Sequence, residues 1–134
     1  MFDAVGPEIL DRQACLKLLG GVGIGRIVYT ERAMPAIQPV PFVLHEETIV
    51  LRANVAGKLF AAVRDTVVAF EAGRFTDDLR SGWTVRVIGR ATAINDSEEL
   101  AELAVLPLPS WDPGTNAHYL RVTVDLISGR RLRS

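Results

Sequence analysis

Hydrophobic and polar positions change their period several times along this chain, and each change predicts an element. Over residues 7–19 the apolar Ile9, Leu10, Ala14, Leu16, Leu18 and Leu19 are interleaved with Glu8, Asp11, Arg12 and Lys17 at helical spacing. A short amphipathic helix is expected there, with Pro7 in its first turn and Gly20-Gly21 ending it. Residues 22–30 turn β-branched and predict a strand, followed by a turn at Glu31-Arg32-Ala33. Residues 34–44 predict a second strand, but Pro35, Pro39 and Pro41 cannot all sit in a central ladder. This strand must have an open side or a bulge. After a turn at His45-Glu46-Glu47, residues 48–52 form a third strand and 56–64 a short helix. Residues 66–71 form a fourth strand, 73–81 a polar loop and 83–94 a fifth strand. Asp96, with Glu99 three positions on, opens a helix reaching about residue 106, and residues 118–127 alternate as the sixth strand. The whole predicts a mainly β fold with short helices, a six-stranded antiparallel barrel in a single domain over residues 1–134, with residues 1–20 packed on it as a helix.

Composition narrows the function more than the fold. Fifteen Lys and Arg against 16 Asp and Glu leave a net charge of −1, which argues against an electrostatically driven nucleic-acid binder. The only lysines are Lys17 and Lys58, so a lysine at a turn carries more weight than usual. With Cys15 as the single cysteine, no intramolecular disulfide or cysteine cluster can form, and its apolar setting predicts an inert core thiol. Residues 1–3 carry no basic stretch of a signal peptide, and the apolar runs are too short to cross a bilayer, so a cytoplasmic protein without membrane contact is expected.

Several chemistries find no support. The run Gly20-Gly21-Val22-Gly23-Ile24-Gly25 has Arg26 where a dinucleotide fingerprint needs its third glycine, and it follows a helix instead of a strand. His45 and His118 lack metal-ligand spacing, and no serine lies in a nucleophile elbow, so neither a metal nor a catalytic residue is assigned. The informative pair of segments is 51–63 and 82–94. The first turns abruptly from strand to helix between Arg52 and Lys58, where unpaired N–H groups suit a phosphate. A lysine in a first helical turn opposes the dipole unless an anion sits there. In the second segment, Trp83 offers a flat apolar surface for a ring. The combination predicts a site for a phosphorylated aromatic cofactor.

The segments GRIVYT, PAIQPVPFVL, IVLRANVAGKL, VVAFEAGRF, GWTVRVIGRA, WDPG and SGRRL occur in an order and spacing that resemble the pyridoxamine 5′-phosphate oxidase-like, FMN-binding split-barrel family, in particular its small actinobacterial-type members. The resemblance implies a homodimer with FMN at the subunit interface. The ring would lie along Gln38, Pro39 and Val40. The phosphate would be held around Arg52, Ala53, Gly57 and Lys58, with Trp83 near the cofactor from this subunit or its partner. It also implies a small flavin-dependent oxidoreductase acting on a small molecule, the flavin carrying the hydride chemistry. Relatives place hydroxyl side chains where this chain has Ala53 and Gly57, and often an arginine at Asn116. Each lost hydroxyl contact is worth ~1.5–3 kcal/mol to a charged group. Weaker FMN binding is therefore expected, with a deazaflavin coenzyme or a non-enzymatic flavin-binding or sensor role as alternatives.

Overall fold

Asp11 decides where the first helix begins. In the computed structural model, which describes residues 7–111 and 117–133, the Asp11 carboxylate accepts the Ala14 N–H at 2.9 Å. That side-chain cap starts α1 at Arg12, and it runs to Leu19. The expected helix from Pro7 is thus shortened, because Glu8–Leu10 form a strand, β1, paired with residues 129–131. The chain then forms β2 (Ile24–Glu31), β3 (Met34–Pro41), β4 (Val43–His45), β5 (Thr48–Asn54), α2 (Lys58–Val63), β6 (Thr66–Phe75) and β7 (Gly82–Ala93). It finishes with α3 (Ser97–Ala104), β8 (Ala117–Val122) and β9 (Leu126–Leu132).

The fold is the expected mainly β, curled antiparallel sheet, in the order β3-β2-β6-β7-β8-β5-β4, with β9 joining β7 to β1. Among the described residues it has nine strands where the pattern predicted six. One addition is β1. The second comes at Phe42, which separates β3 from β4 and thereby places the two halves of one predicted strand at opposite ends of the sheet. The third comes at residues 123–125, where the last predicted strand divides. Val122 faces Ala91 but Leu126 faces Ile88, so four steps on one strand match three on β7, which is a bulge. The chain crosses over Gly89 there, where a Cβ would stand 1.6 Å from the Thr123 carbonyl oxygen.

The predicted open side of the proline-rich strand is real. β3 pairs with β2 throughout and is an edge of the sheet. The Phe42 N–H donates to the Gly23 carbonyl at 3.0 Å, which sets the parity of the strand. Even-numbered residues turn their N–H toward β2, and Pro35, Pro39 and Pro41 fall where an N–H would point away.

The inward faces of the strands close on one core that includes Ile27, Leu51, Phe70, Val85, Val87 and Leu120. Phe42, between β3 and β4, packs edge-on against Phe70 of β6 with ring centroids 4.8 Å apart. α1 lies over β9 at Gly129, where a Cβ would meet the Cys15 sulfur at 2.6 Å. Cys15 is accordingly buried, as expected, and burial together with the nearby Asp11 charge raises its thiol pKa. A second cluster, Val50, Ile94, Leu103 and Leu108, seats α3 on the other face of β5. The Asp96 carboxylate caps α3 through the Glu99 N–H at 2.9 Å, while the Glu99 carboxylate turns to Arg121. Among the described residues no helix is long and apolar enough to cross a membrane.

Candidate functional site

The turn between β5 and α2 places the predicted phosphate residues with unequal results. Gly57 is the N-cap of α2, contributes no side-chain cap, and its φ of −87° is one that any residue adopts. Asn54 closes the turn by accepting the Gly57 N–H through its carbonyl at 2.8 Å and the Ala56 N–H through its side chain at 2.9 Å. Lys58 follows, exposed, with no ion-pair partner among the described residues. Because α2 has only six residues, its dipole is short, and the Lys58 charge is the stronger attraction for an anion. Lys58 lines a shallow hollow of about 270 Å³ with Thr30, Glu31, Arg32, Ala61 and Ala62, against the β2–β3 turn.

Arg52 and Ala53 point to opposite faces of β5, as neighbours on a strand must. Ala53 is fully buried in the main core and can offer a ligand only its backbone. Arg52 turns toward the α3 side, donating from Nη1 to the Leu108 carbonyl at 3.1 Å, with its guanidinium 5.3 Å from the Tyr119 ring centre. Its Nε is buried and unpaired, a donor still able to take an oxygen acceptor. The free Lys58 ammonium is a suitable donor for phosphate, so the turn fits such a group through Lys58, whereas the buried Arg52 Nε faces the α3 side and does not line the Lys58 hollow.

Gln38, Pro39 and Val40 occupy the middle of β3. Gln38 stands opposite Ile27 and Val40 opposite Gly25, both turned inward, whereas Pro39 is exposed on the outer face. Gln38 is half-buried, and its amide has no partner among the described residues.

Trp83 lies elsewhere. It faces inward at the start of β7, half-buried at the margin of the core, and lines a cavity of about 440 Å³ with Ala14, Lys17, Leu18, Arg74 and Arg131. Within one chain, then, Lys58 and Trp83 line separate hollows. The arginines beside Trp83 escaped the sequence reading because their juxtaposition is set by strand register. Of the terminal motifs, Trp111 is exposed and Arg131 lies on β9, while Asp112, Pro113, Gly114 and Asn116 lie outside the described residues.

Two further features emerge only in three dimensions. His45, Glu46 and Glu102 bring ligand atoms within 4.8 Å of one another, although their spacing along the chain gave no such sign. The His45 Nε2 lies 3.4 Å from a Glu102 oxygen. On the outer face of the sheet, Ile37, Val28, Ala69, Ile88 and Leu126 stand directly opposite one another across β3, β2, β6, β7 and β9. Ile37 and Leu126, at the two ends of this apolar row, are about two-thirds exposed at 64% and 66%. A row formed by Pro39, Arg26, Glu71, Arg86 and Ser128 borders it, with Glu71 held by Arg26 at 2.7 Å and by the Thr84 hydroxyl at 2.8 Å.

Comparison with known proteins gives a consistent result. The family model described as pyridoxamine 5′-phosphate oxidase matches residues 11–131. An uncharacterized protein of Mycobacterium tuberculosis is 33% identical over 128 residues, which cover 92% of this chain and 84% of that protein. Among solved structures, the FAD binding protein of Mycobacterium smegmatis is 35% identical, with a TM-score of 0.84 over 95% of this chain and 99% of that one. A conserved protein of unknown function from Corynebacterium diphtheriae is 32% identical, with a TM-score of 0.77 over 94% and 98% of the two chains.

Proposed function

Because the chain belongs to the pyridoxamine 5′-phosphate oxidase family of split barrels, we propose that it is a homodimeric flavoprotein, most simply an FMN-dependent oxidoreductase of small molecules. The observation that carries this reading is the unpaired Lys58 beside the uncapped Gly57, at the end of the sheet where the free edge strand β3 begins. Lys58 holds the phosphate, and Gly57 and the Ala53 backbone let it approach closely. Gln38 offers its amide to the polar edge of the ring, with Pro39 and Val40 beside it. Trp83 completes the site from the partner subunit, since within one chain it lines a hollow separate from that of Lys58. The flavin, when bound, supplies the hydride acceptor, and the chain supplies position and charge. No side chain is assigned as a catalytic acid or base.

The outer apolar row supports the dimer. Aligned across five strands and bordered by charged residues, it is a surface that a second copy would remove from water. A second reading, FAD in place of FMN, is favoured by the Mycobacterium smegmatis relative, whose described ligand is FAD. The test is a visible spectrum of the purified protein, followed by titration of the cofactor-free form with FMN, FAD and the deazaflavin coenzyme. Saturable binding of one flavin, then anaerobic bleaching by NADPH or NADH and reoxidation by a quinone or nitro compound, is the expected outcome. Binding without any reduction leaves a flavin carrier or sensor, and binding of none refutes the assignment.

A further inference from the structure

The β4–β5 hairpin and helix α3 bring His45, Glu46 and Glu102 together, and none of the three belongs to the flavin site proposed above. His45 ends β4 opposite Thr48, whose hydroxyl donates to the His45 carbonyl at 2.8 Å. The His45 side chain is 18% exposed, and its Nε2 atom is shielded from water without a hydrogen-bond partner. That nitrogen faces two carboxylates, Glu102 at 3.4 Å and Glu46 at 4.0 Å, neither in hydrogen-bond alignment with it. A buried polar atom left unpaired in this way calls for a ligand. The neighbouring acids are already satisfied, Glu47 by Arg12 at 3.6 Å and Glu99 by Arg121. Among the described residues, no lysine or arginine pairs with Glu46 or Glu102. Two carboxylates and one imidazole thus converge with no lysine or arginine to balance them.

We propose that His45, Glu46 and Glu102 bind a divalent transition-metal cation, zinc in particular, which clamps α3 to the β4–β5 hairpin. Zinc takes imidazole nitrogen and carboxylate oxygen at about 2.0–2.2 Å, so two ligand atoms on one tetrahedral ion stand about 3.4 Å apart. The His45 and Glu102 atoms already have that separation. All three ligand atoms lie within 4.8 Å of one another, and both glutamates are exposed, so small side-chain rotations close the triangle around an ion. Water takes the fourth position. One imidazole among the donors favours zinc over magnesium or calcium, which prefer a shell of oxygens alone. The clamp reinforces a contact the fold already makes. Leu103, next to Glu102, is fully buried beside Val50, and Val50 faces Val43 of β4. A cation joining residues 45 and 102 therefore ties together, at the surface, the elements that this apolar cluster joins beneath.

The test is a calorimetric titration of the untagged, chelator-treated full chain with zinc chloride, repeated in excess magnesium chloride. One zinc ion per chain should bind saturably, and magnesium should not displace it. Saturating zinc should also raise the melting temperature, since the ion binds only the folded arrangement. His45→Gln, Glu46→Gln and Glu102→Gln should each weaken zinc by more than about tenfold, the least that even the loss of an outer-shell partner costs. His118→Gln and Cys15→Ala, which alter the other histidine and the single thiol, should leave the affinity unchanged. Melting temperatures equal to the wild type without metal show that the variants are folded. Glu102 is exposed on α3, so its variant keeps the test open even if the buried His45 proves necessary for folding. Absence of saturable zinc binding overturns the proposal. So does unchanged affinity in Glu102→Gln, loss of binding in His118→Gln or Cys15→Ala, or displacement by magnesium. Flavin affinity, measured separately on Lys58→Ala, tests the flavin reading without touching this one.

Discussion

The Lys58 hollow and the Trp83 cavity are both cationic, but they are built by different means. Lys58 stands on a local turn, defined by five residues in sequence, and shares its hollow with the acid Glu31. Trp83, on β7, owes its neighbours to β6 and to the more distant β9 and α1, and no acid lines its cavity. A local turn can be recognised from its residues, whereas a site assembled by register appears only once the strands are aligned. The contrast also bears on assembly. If one cofactor is to touch both regions, as the flavin reading requires, the two must come from different copies of the chain.

The largest expected effect comes from breaking that assembly. Ile88→Lys places a charge within the outer apolar row. The dimer should dissociate, with the mass by light scattering falling by half, and flavin binding should be lost with it. A dimer that survives this change removes the outer row from the interface and undermines the two-copy account. Gly129→Val separates the two regions within one chain. Its side chain would collide with Cys15 and Val85 beneath α1, at a cost of about 1–3 kcal/mol. Thermal melting should fall by several degrees, and Trp83 emission should shift as α1 lifts, while the Lys58 turn keeps its geometry.

Smaller changes sharpen the difference. Lys58→Ala should weaken flavin binding about tenfold through loss of a charge-assisted phosphate contact, with no change in melting temperature. Gly57→Ser should work in the opposite direction. The φ at Gly57 accepts a side chain, and the serine hydroxyl would reach both the first-turn N–H groups and the phosphate. A several-fold gain in flavin affinity, read by titration, is expected. Ala53→Thr offers no such gain, since position 53 is fully buried in the core.

The smallest effect is one of pH. Burial raises the Cys15 thiol pKa, so the folded state favours the protonated thiol. The associated stability is complete below the unfolded thiol value of about 8.5 and is lost as pH rises from there through the folded value. Melting temperature should therefore fall more steeply above about pH 8.5 in the wild type than in Cys15→Ala. Equal slopes in the two proteins would remove Cys15 from the account.

Much of the fold could be read directly from the residues. The three prolines predicted an open strand, and Asp96 with Glu99 predicted the start of α3, because both signals act within a few residues. Strand breaks at Phe42 and at residues 123–125 were not legible, since a single kinked residue or one bulge leaves the alternation of side chains almost intact. The start of α1 was misplaced because Glu8–Leu10 have helical spacing yet find a partner on β9, where Ile9 faces Arg130, 121 residues further along the chain. In the site, Arg52 and Ala53 looked like a joint phosphate contact, but the period of a strand sends their side chains to opposite faces. Lys17, Arg74 and Arg131 carried no local signal at all.

The parity of the prolines on β3 has a consequence for behaviour at high concentration. A free strand edge is ordinarily a template on which another chain can add a strand. Along residues 35–41 the outward positions are Pro35, Ile37, Pro39 and Pro41, so the exposed edge keeps the Ile37 N–H as its single backbone donor there. A foreign strand would find carbonyl oxygens in a row with almost nothing to donate to its own. The barrel can remain open along this side without seeding fibrils, and copies that meet must do so through side chains, not by fusing their sheets.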